Sequence, residues 1–183
     1  MSIETDMIKQ AQSGDAEAFE RLYDRFYTPV YTYIYYRVGE RSLAEDLTSD
    51  VFERMVIKID DWKPMGKPFI AWLYTIAGNL VRNHLKRQKR ITWLSLNERD
   101  ADSGENLMTL IGKKLQHEQL ARALNQLTED QRQVIILRFL QGESITAVAS
   151  AVGKTETGIK ALQRRAIHSL GRILEKEGVH VTS

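Results

Sequence analysis

Apolar residues recur at intervals of three and four along most of the chain, which is the spacing of one buried face of an α-helix. The first apolar run begins after Asp15, which is an N-cap residue type, and continues to Gly39. Pro29 lies within this run and predicts a kink or a restart of the helix. With nearly every segment patterned in this way, the sequence predicts an all-α protein. The first long run comprises Ala18, Phe19, Leu22, Tyr23 and Phe26.

The next apolar stripe repeats every four residues from Leu43 to Ile59. Ser42 and Glu45 have the spacing of a capping box, which predicts that this helix begins after Ser42. A solvated acidic face is the simpler interpretation of the polar positions, and a protein-binding surface is the alternative. On this helix alone both interpretations stay open. The polar positions are Asp46, Ser49, Asp50 and Glu53.

A loop is predicted from Asp60 to Lys67, because Pro64, Gly66 and Pro68 disfavour helix there. Pro68 suits the first turn of a following helix. The buried stripe of that helix is Phe69, Trp72, Leu73, Ile76, Ala77 and Leu80. Its polar face carries hydrogen-bond donors and no acid, at Thr75, Asn79, Arg82, Asn83 and Lys86.

The net charge of +2 hides an uneven distribution. Acidic residues outnumber basic ones from Glu40 to Asp61. No acidic residue occurs from Trp62 to Asn97. Cations that follow phosphates and rings that stack on unpaired bases are typical of proteins that hold single-stranded DNA. A solvated basic helix with aromatic residues in the core is the plainer alternative, and we expect Trp72 to be core. The basic and aromatic residues are Lys63, Lys67, Arg82, Lys86, Arg87, Lys89, Arg90, Trp62, Phe69, Trp72, Tyr74 and Trp93.

Periodicity is lost between Thr92 and about Lys114, where Ser, Asn, Asp, Gly and Glu collect as in a flexible linker. We therefore predict two small helical domains, at residues 1–92 and 115–183, joined by a linker at 93–114.

The second domain has the pattern of a helix-turn-helix. Thr128 and Gln131 form a capping box, Ser144 and Thr155 are N-cap residue types, and Gly153 predicts a tight turn between two helices. In this motif the second helix enters the major groove, where Arg and Lys bond guanine edges or phosphates. The charged exposed face favours DNA binding over a protein–protein hairpin. That face comprises Thr157, Lys160, Arg164, Arg165 and His168.

Composition narrows the remaining possibilities. The chain has no cysteine, and its four histidines lack metal-ligand spacing, so we expect no metal and no cofactor. No paired carboxylates or nucleophile–base set emerges, which argues against an all-α enzyme. The start of the chain lacks a signal-peptide pattern, and no segment has the length of a membrane span. We expect a soluble, cytoplasmic protein without membrane insertion.

The order of these features resembles the extracytoplasmic-function (ECF) group of bacterial RNA polymerase sigma factors. The resemblance covers about residues 8–176 and rests on AEDLTSDVF at 44–52, PFIAWLYTIAGN at 68–79, LTEDQRQV at 127–134 and GIKALQRRA at 158–166. It implies a first domain, sigma region 2, that binds core RNA polymerase and melts and reads the −10 promoter element. It implies a second domain, sigma region 4, that reads double-stranded DNA at the −35 element. A separate anti-sigma factor is an expected partner.

The resemblance also assigns residues to roles. Core polymerase is expected to contact Asp46, Ser49, Asp50 and Glu53. The melted −10 DNA is expected to contact Lys63, Lys67, Asn79, Arg82, Asn83 and Lys86. The −35 DNA is expected to contact Thr157, Lys160, Arg164, Arg165 and His168.

Two positions depart from the family pattern, and one other function class remains open. The family often has Gln at the position of Ser49 and Arg at the position of Leu162, and by periodicity Leu162 faces the core.

A helix-turn-helix repressor or activator explains the C-terminal half equally well. It gives no reason for the acidic face or for aromatic residues suited to unpaired bases. A repressor binds promoter DNA alone, whereas a sigma factor is expected to need core polymerase.

Overall fold

The computed structural model describes residues 2–94 and 113–178, and every regular element within these ranges is helical. The all-α prediction is thereby confirmed. The helices are α1 Ile3–Gln12, α2 Ala16–Val38, α3 Arg41–Lys58, α4 Phe69–Leu94, α5 Lys113–Asn125, α6 Glu129–Ile135, α7 Ile145–Val152 and α8 Glu156–Lys176. A 3-10 turn at Ile59–Asp61 follows α3, and a π-helical turn at Ile136–Leu140 follows α6.

Helix α2 forms the centre of the first half, where α1, α3 and α4 all pack against it. The side chain of Asp15 caps it by accepting a hydrogen bond from the Glu17 amide. The helix continues through Pro29, so the restart is wrong, and the kink that was its alternative stays a prediction. Phe26 and Val30 are buried on either side of the proline. Their packing outweighs the loss of one backbone hydrogen bond, which costs about 3 kcal/mol in an isolated helix.

Helix α3 begins at Arg41, two residues earlier than the capping-box pattern predicts. Its N-cap is Glu40, which makes no side-chain cap bond. The chain leaves α2 through Gly39 at φ 74°, so Ser42 lies inside the first turn and cannot cap it. Glu45 instead accepts a hydrogen bond from Arg41 at 3.1 Å. The predicted capping box at Ser42 is therefore wrong.

The caps predicted in the second half are confirmed. Thr128 and Gln131 make both bonds of the capping box at the start of α6. Ser144 and Thr155 accept backbone amide hydrogen bonds at the starts of α7 and α8. Gly153 ends α7 at φ 74°, a left-handed conformation that glycine adopts without steric cost. Local sequence alone defines these helix ends.

The two halves of the chain pack against each other. Helix α2 contacts α5 and α6, helix α4 contacts α7, and the buried apolar residues form one continuous cluster. Helix α4 extends to Leu94 and α5 begins at Lys113. The rest of the predicted linker, and the side chain of Trp93, lie outside the described residues. The predicted domain boundaries, with the first domain ending at residue 92 and the second beginning at residue 115, stay a prediction.

Candidate nucleic-acid and protein interfaces

The acidic face predicted on α3 is open to solvent. Asp46, Ser49, Asp50 and Glu53 are all exposed, while the opposite stripe of this helix is buried. The Ser49 hydroxyl donates to the carbonyl of Glu45 at 3.1 Å, so its hydrogen is engaged by its own helix. Within the part of the chain that the structure describes, no cation pairs with the three carboxylates. The face is therefore a row of unneutralised negative charge.

An exposed apolar edge continues the acidic face toward the end of α3. Val56 and Ile57 are 52% and 69% exposed. Ile57 follows Asp50 and Glu53 by seven and four residues, which places all three on one side of the helix. The sequence interpretation missed this edge. Its signal was the presence of two β-branched residues off the buried stripe.

A row of tyrosine rings lies along α2 beside α3. Tyr27 stacks with Tyr31 at 6.0 Å between ring centroids, and Tyr31 stacks with Tyr35 at 6.1 Å. Tyr23 meets Phe52 of α3 edge to face at 4.8 Å. Burial raises the pKa of Tyr27 and of Tyr31 above the ordinary tyrosine value. The row gives this side of the first domain a half-buried aromatic surface.

The predicted loop between α3 and α4 is fixed at its entrance by α1. The side-chain amide of Gln12 donates to the carbonyls of Ile59 and Trp62 at 2.9 and 3.0 Å. The Trp62 ring then packs edge to face on Phe69 at 5.2 Å, and Phe69 packs on Trp72 at 5.3 Å. Gln12 is a positioning residue that the sequence interpretation did not identify. Its partners are backbone carbonyls far along the chain, which leave no sequence signal.

A cavity of about 460 Å³ lies between this loop and α4. Its lining combines two basic side chains with two indole rings, a composition suited to an anionic ligand that has a flat ring. Trp72 packs against the core as expected, yet it also lines this cavity. The lining residues are Asp61, Trp62, Lys63, Met65, Lys67, Trp72, Thr75 and Ser150.

The polar face of α4 begins beside the cavity and runs along the helix. Asn79, Arg82, Asn83 and Lys86 are all exposed. Arg82 donates to the Asn79 side-chain carbonyl at 3.2 Å, which leaves the Asn79 amide hydrogens for another acceptor. These four residues of α4 were predicted to bind single-stranded DNA. The structure places them on the same side of the first domain as Lys63 and Lys67.

The helix-turn-helix is formed by α7 and α8. Thr157, Lys160, Arg164, Arg165 and His168 are exposed, as predicted. Leu162 is 8% exposed and belongs to the core, so it is not available to DNA. Ile159 and Ala166 are fully buried on the same side as Leu162. This alternation leaves the basic residues together on the outer face of α8.

A buried arginine joins the two halves of the chain. The Arg37 side chain is fully buried; it donates to the Tyr33 hydroxyl at 2.7 Å and forms an ion pair with Glu129 of α6. The Tyr33 hydroxyl in turn donates to Gln133 at 3.1 Å, and Arg132 donates to the Arg37 carbonyl at 3.1 Å. No sequence pattern assigns a role to Arg37, because its partners Glu129 and Arg132 lie in the other half of the chain.

A second polar contact between the halves joins α4 to the start of the helix-turn-helix. Tyr74 donates to Glu143 at 3.4 Å. Burial raises the pKa of Glu143, and the hydrogen bond from Tyr74 partly opposes that shift. Tyr36 and His117 make a third contact, with the hydroxyl 2.6 Å from Nδ1.

Neither a metal centre nor a membrane segment is found in the described residues. No group of His, Asp and Glu there has an arrangement that suits a metal ion. No helix in residues 2–94 and 113–178 combines the length and apolar character needed to cross a membrane.

Comparison with known proteins agrees with this geometry. The family model of Sigma-70 region 2 matches residues 22–91, and that of Sigma-70, region 4 matches residues 117–170. The chain is 40% identical over 175 residues to the ECF RNA polymerase sigma factor BldN of Streptomyces coelicolor, covering 92% of this chain and 65% of BldN. It is 32% identical over 165 residues to the ECF RNA polymerase sigma factor SigX of Bacillus subtilis, covering 87% of this chain and 84% of SigX.

Two solved structures share the fold. CnrH in complex with the cytosolic domain of CnrY has a TM-score of 0.75 at 23% identity, covering 96% of this chain and 99% of that one. The sigma factor RpoE of Bartonella quintana, in complex with the anti-sigma factor NepR, has a TM-score of 0.72 at 24% identity. That match covers 87% of this chain and 98% of RpoE. By its two matched regions and its identity to curated relatives, the chain belongs to the ECF group of RNA polymerase sigma factors.

Proposed function

We propose that this chain binds core RNA polymerase and directs it to promoters that carry −10 and −35 elements. The observation that carries the proposal is that one chain has two different surfaces, each suited to bind a different form of DNA. The first is a loop, cavity and polar helix face suited to an unpaired base, and the second is a helix-turn-helix suited to duplex DNA. A repressor has no use for the first surface.

The acidic face of α3 is the proposed docking surface for core polymerase. Its unpaired carboxylates at Asp46, Asp50 and Glu53 lie beside the apolar edge of Val56 and Ile57. An apolar centre with charges at its rim is a common composition of protein interfaces. The charges are expected to speed association with a basic partner, and the apolar edge to supply contact area.

The cavity beside the 60–67 loop is the proposed site for a flipped base of the −10 element. Trp62 and Trp72 offer rings for stacking, and Lys63 and Lys67 offer charge for the adjoining phosphates. Extruding a base costs a few kcal/mol, so a site that binds the flipped base selects sequence while it melts DNA. Asn79, Arg82, Asn83 and Lys86 then hold the displaced strand along α4.

The outer face of α8 is the proposed −35 surface. Thr157, Lys160 and Arg164 lie at or near its N-terminal half, which leads into the major groove in this motif. Arg165 and His168 extend the charge toward the neighbouring phosphates.

The chain acts in this scheme as an initiation subunit of the polymerase and not as an enzyme. Its place of action is the cytoplasm, where the polymerase works.

A separate anti-sigma factor completes the proposed set of partners. CnrH and RpoE, whose folds this chain shares, were each solved with a second protein, and that protein is named as an anti-sigma factor for RpoE. The same kind of partner is proposed here on the shared fold and family.

Reconstituted transcription tests the proposal. The purified chain is combined with core polymerase of a related bacterium and with a library of promoter fragments. We expect specific transcripts only when both proteins are present, and a shift of promoter DNA only with the holoenzyme. Tight, sequence-specific binding by the chain alone, with no transcript in the presence of core, would instead establish a repressor or activator.

A further inference from the structure

Helix α1 holds the start of the 60–67 loop through one side chain. Gln12 is the last residue of α1, and its amide nitrogen lies 2.9 Å from the Ile59 carbonyl oxygen and 3.0 Å from that of Trp62. Ile59 begins the 3-10 turn that precedes the loop, and Trp62 is its C-cap. The end of a helical turn leaves carbonyls without partners inside the turn. A primary amide has two hydrogens, so Gln12 alone supplies donors for both carbonyls.

Helix α1 is a firm support for this contact. Ile8 and Ala11 are buried in the apolar core, and the helix packs against both α2 and the 3-10 turn. Glu4 also forms an ion pair with Arg25 of α2 at 3.1 Å. The Gln12 amide therefore ties the loop to the packed body of the first domain.

Trp62 connects the Gln12 contact to the proposed base site. Its carbonyl accepts from Gln12, while its indole packs edge to face on the buried Phe69 at 5.2 Å and lines the cavity. Lys63 follows it and lines the same cavity, and Met65 further along the loop is 80% exposed. The loop is thus held at its start through both backbone and side chain, and its middle is open to solvent.

We propose that Gln12 is a positioning residue for recognition of the −10 element. By holding the Trp62 carbonyl, it keeps the cavity in the geometry that distinguishes one flipped base from another. The inference rests on the proposed function, since it concerns the cavity proposed to receive that base. Gln12 does not itself line the cavity, so it acts through Trp62. The match to Sigma-70 region 2 begins at residue 22 and assigns no role to any residue of α1.

A held loop matters more for selectivity than for total affinity. Selectivity is a difference between two affinities, and a cavity wall that shifts easily accepts a mismatched base at low cost. A loop already held in its binding conformation also loses less entropy when DNA binds. Contacts from Lys63 and Lys67 to phosphates carry no base preference. Loss of the Gln12 contact should therefore reduce discrimination between bases before it reduces binding of the strand.

Two substitutions at Gln12 remove its donors with little change in shape. Gln12→Met keeps the length of the side chain and stays neutral, but it has no hydrogen to donate. Gln12→Glu directs carboxylate oxygens at two carbonyls and should disturb the loop more. Gln10→Met is the matched control, because Gln10 lies on the same helix and its side chain accepts from Arg21 of α2 at 3.1 Å.

Hydrogen exchange of the free chain tests whether Gln12 positions the loop. The Trp62 amide donates to the Ile59 carbonyl at 3.1 Å and so lies within the turn that Gln12 holds. We expect amides of residues 60–67 to exchange at least about threefold faster in Gln12→Met than in the unmodified chain, and faster still in Gln12→Glu. Amides in the middle of α2 are the internal reference for global opening. Equal loop exchange in Gln12→Met and Gln10→Met would overturn the inference.

Binding of short single strands to the holoenzyme tests selectivity. The probes are fluorescein-labelled oligonucleotides that carry the −10 sequence selected in the reconstituted transcription, either matched or with one base substituted. The readout is the ratio of the Kd of a substituted strand to the Kd of the matched strand. We expect Gln12→Met to lower this ratio at one base position by about threefold to tenfold, with unchanged affinity for core polymerase. Gln10→Met should keep the ratios of the unmodified chain.

The ratio separates positioning from a general loss of structure. A purely structural role would raise both Kd values by the same factor and leave the ratio unchanged, which would count against the inference. Ratios in Gln12→Met equal to those of a selective unmodified holoenzyme would overturn the inference and leave the proposed function standing. An unmodified holoenzyme that shows no base preference on these strands would overturn both.

Discussion

Arg37 of α2 and Glu129 of α6 form an ion pair in which one partner is fully buried and the other is 38% exposed. The asymmetry has an energetic consequence. Removing the arginine leaves a carboxylate that water can solvate, whereas removing the glutamate leaves a buried cation without its counter-charge. Breaking a buried pair from one side is costly for this second reason.

A double-mutant cycle at this pair is the first test. We expect Glu129→Leu to lower the free energy of unfolding by about 1–3 kcal/mol, a value below that of fully buried pairs because one partner is partly exposed. The double variant Arg37→Met/Glu129→Leu should lose less than the sum of the single variants, with a coupling of about 0.5–3 kcal/mol. Urea unfolding of all four proteins measures it. Strictly additive losses would show that the pair does not couple the domains energetically.

The packing of α4 against the same arginine predicts opposite signs for two glycine substitutions. A Cβ at Gly78 would meet the Tyr33 hydroxyl at 3.2 Å and an Arg37 nitrogen at 3.5 Å. A Cβ at Gly171 of α8 would have no neighbour within 4 Å. We expect Gly171→Ala to raise the free energy of unfolding by about 0.5–1 kcal/mol through helix propensity.

Gly78→Ala should lower that free energy, since the buried Tyr33 and Arg37 cannot move aside without losing hydrogen bonds. Thermal unfolding of both variants beside the unmodified chain gives the comparison. A gain in stability at Gly78 equal to that at Gly171 would mean that the contact is loose.

Charge reversal on the acidic face tests the polymerase surface. Asp50 is exposed and unpaired, so Asp50→Lys should weaken binding to core polymerase without unfolding the domain. The loss should be larger at low ionic strength, where rim charges act most strongly on association. Glu175→Lys on α8 changes charge by the same amount at another exposed site and serves as the control. Equal affinities of Asp50→Lys and the unmodified chain in a titration would remove Asp50 from the interface.

Arg164 tests how α8 reads duplex DNA. It lies near the centre of the exposed face, between Lys160 and His168, so we expect it to contact a base edge. Arg164→Ala should change the relative use of −35 variants, with about 1–3 kcal/mol lost at one base position. A phosphate contact would weaken all promoters alike and flatten the salt slope by about one unit. Transcription from a set of −35 variants separates these outcomes, and wild-type ratios would exclude base reading.

Asn79 tests strand opening, which most clearly separates a sigma factor from a repressor. Its amide is exposed at the start of the polar face of α4 and keeps hydrogen-bond donors free beside Arg82. We expect Asn79→Ala to bind core polymerase and form closed complexes, yet to lose open complexes on promoters that depend on the −10 element. Permanganate reactivity of unpaired thymines reports the melted strand. Full reactivity in the mutant holoenzyme would mean that this face does not read it.

Much of the local structure was predictable from sequence, because its causes lie within a few residues. The caps at Asp15, Thr128, Ser144 and Thr155 are local hydrogen bonds, and each was found as predicted. The burial of Leu162 followed from helical spacing alone. The capping box at Ser42 and the helix restart at Pro29 are absent, because the preceding turn or neighbouring packing outweighed a local preference.

The sequence by itself determined the helical class, the exposed acidic and basic faces and the two family regions, since amphipathic spacing decides which side of each helix is buried. Only the tertiary structure decided how those faces sit relative to each other. Gln12 fixes the 60–67 loop through backbone carbonyls, and Arg37 finds its counter-charge in the other half of the chain. Neither contact produces a periodic pattern in the sequence, because the partners are distant along the chain and meet only when the helices pack.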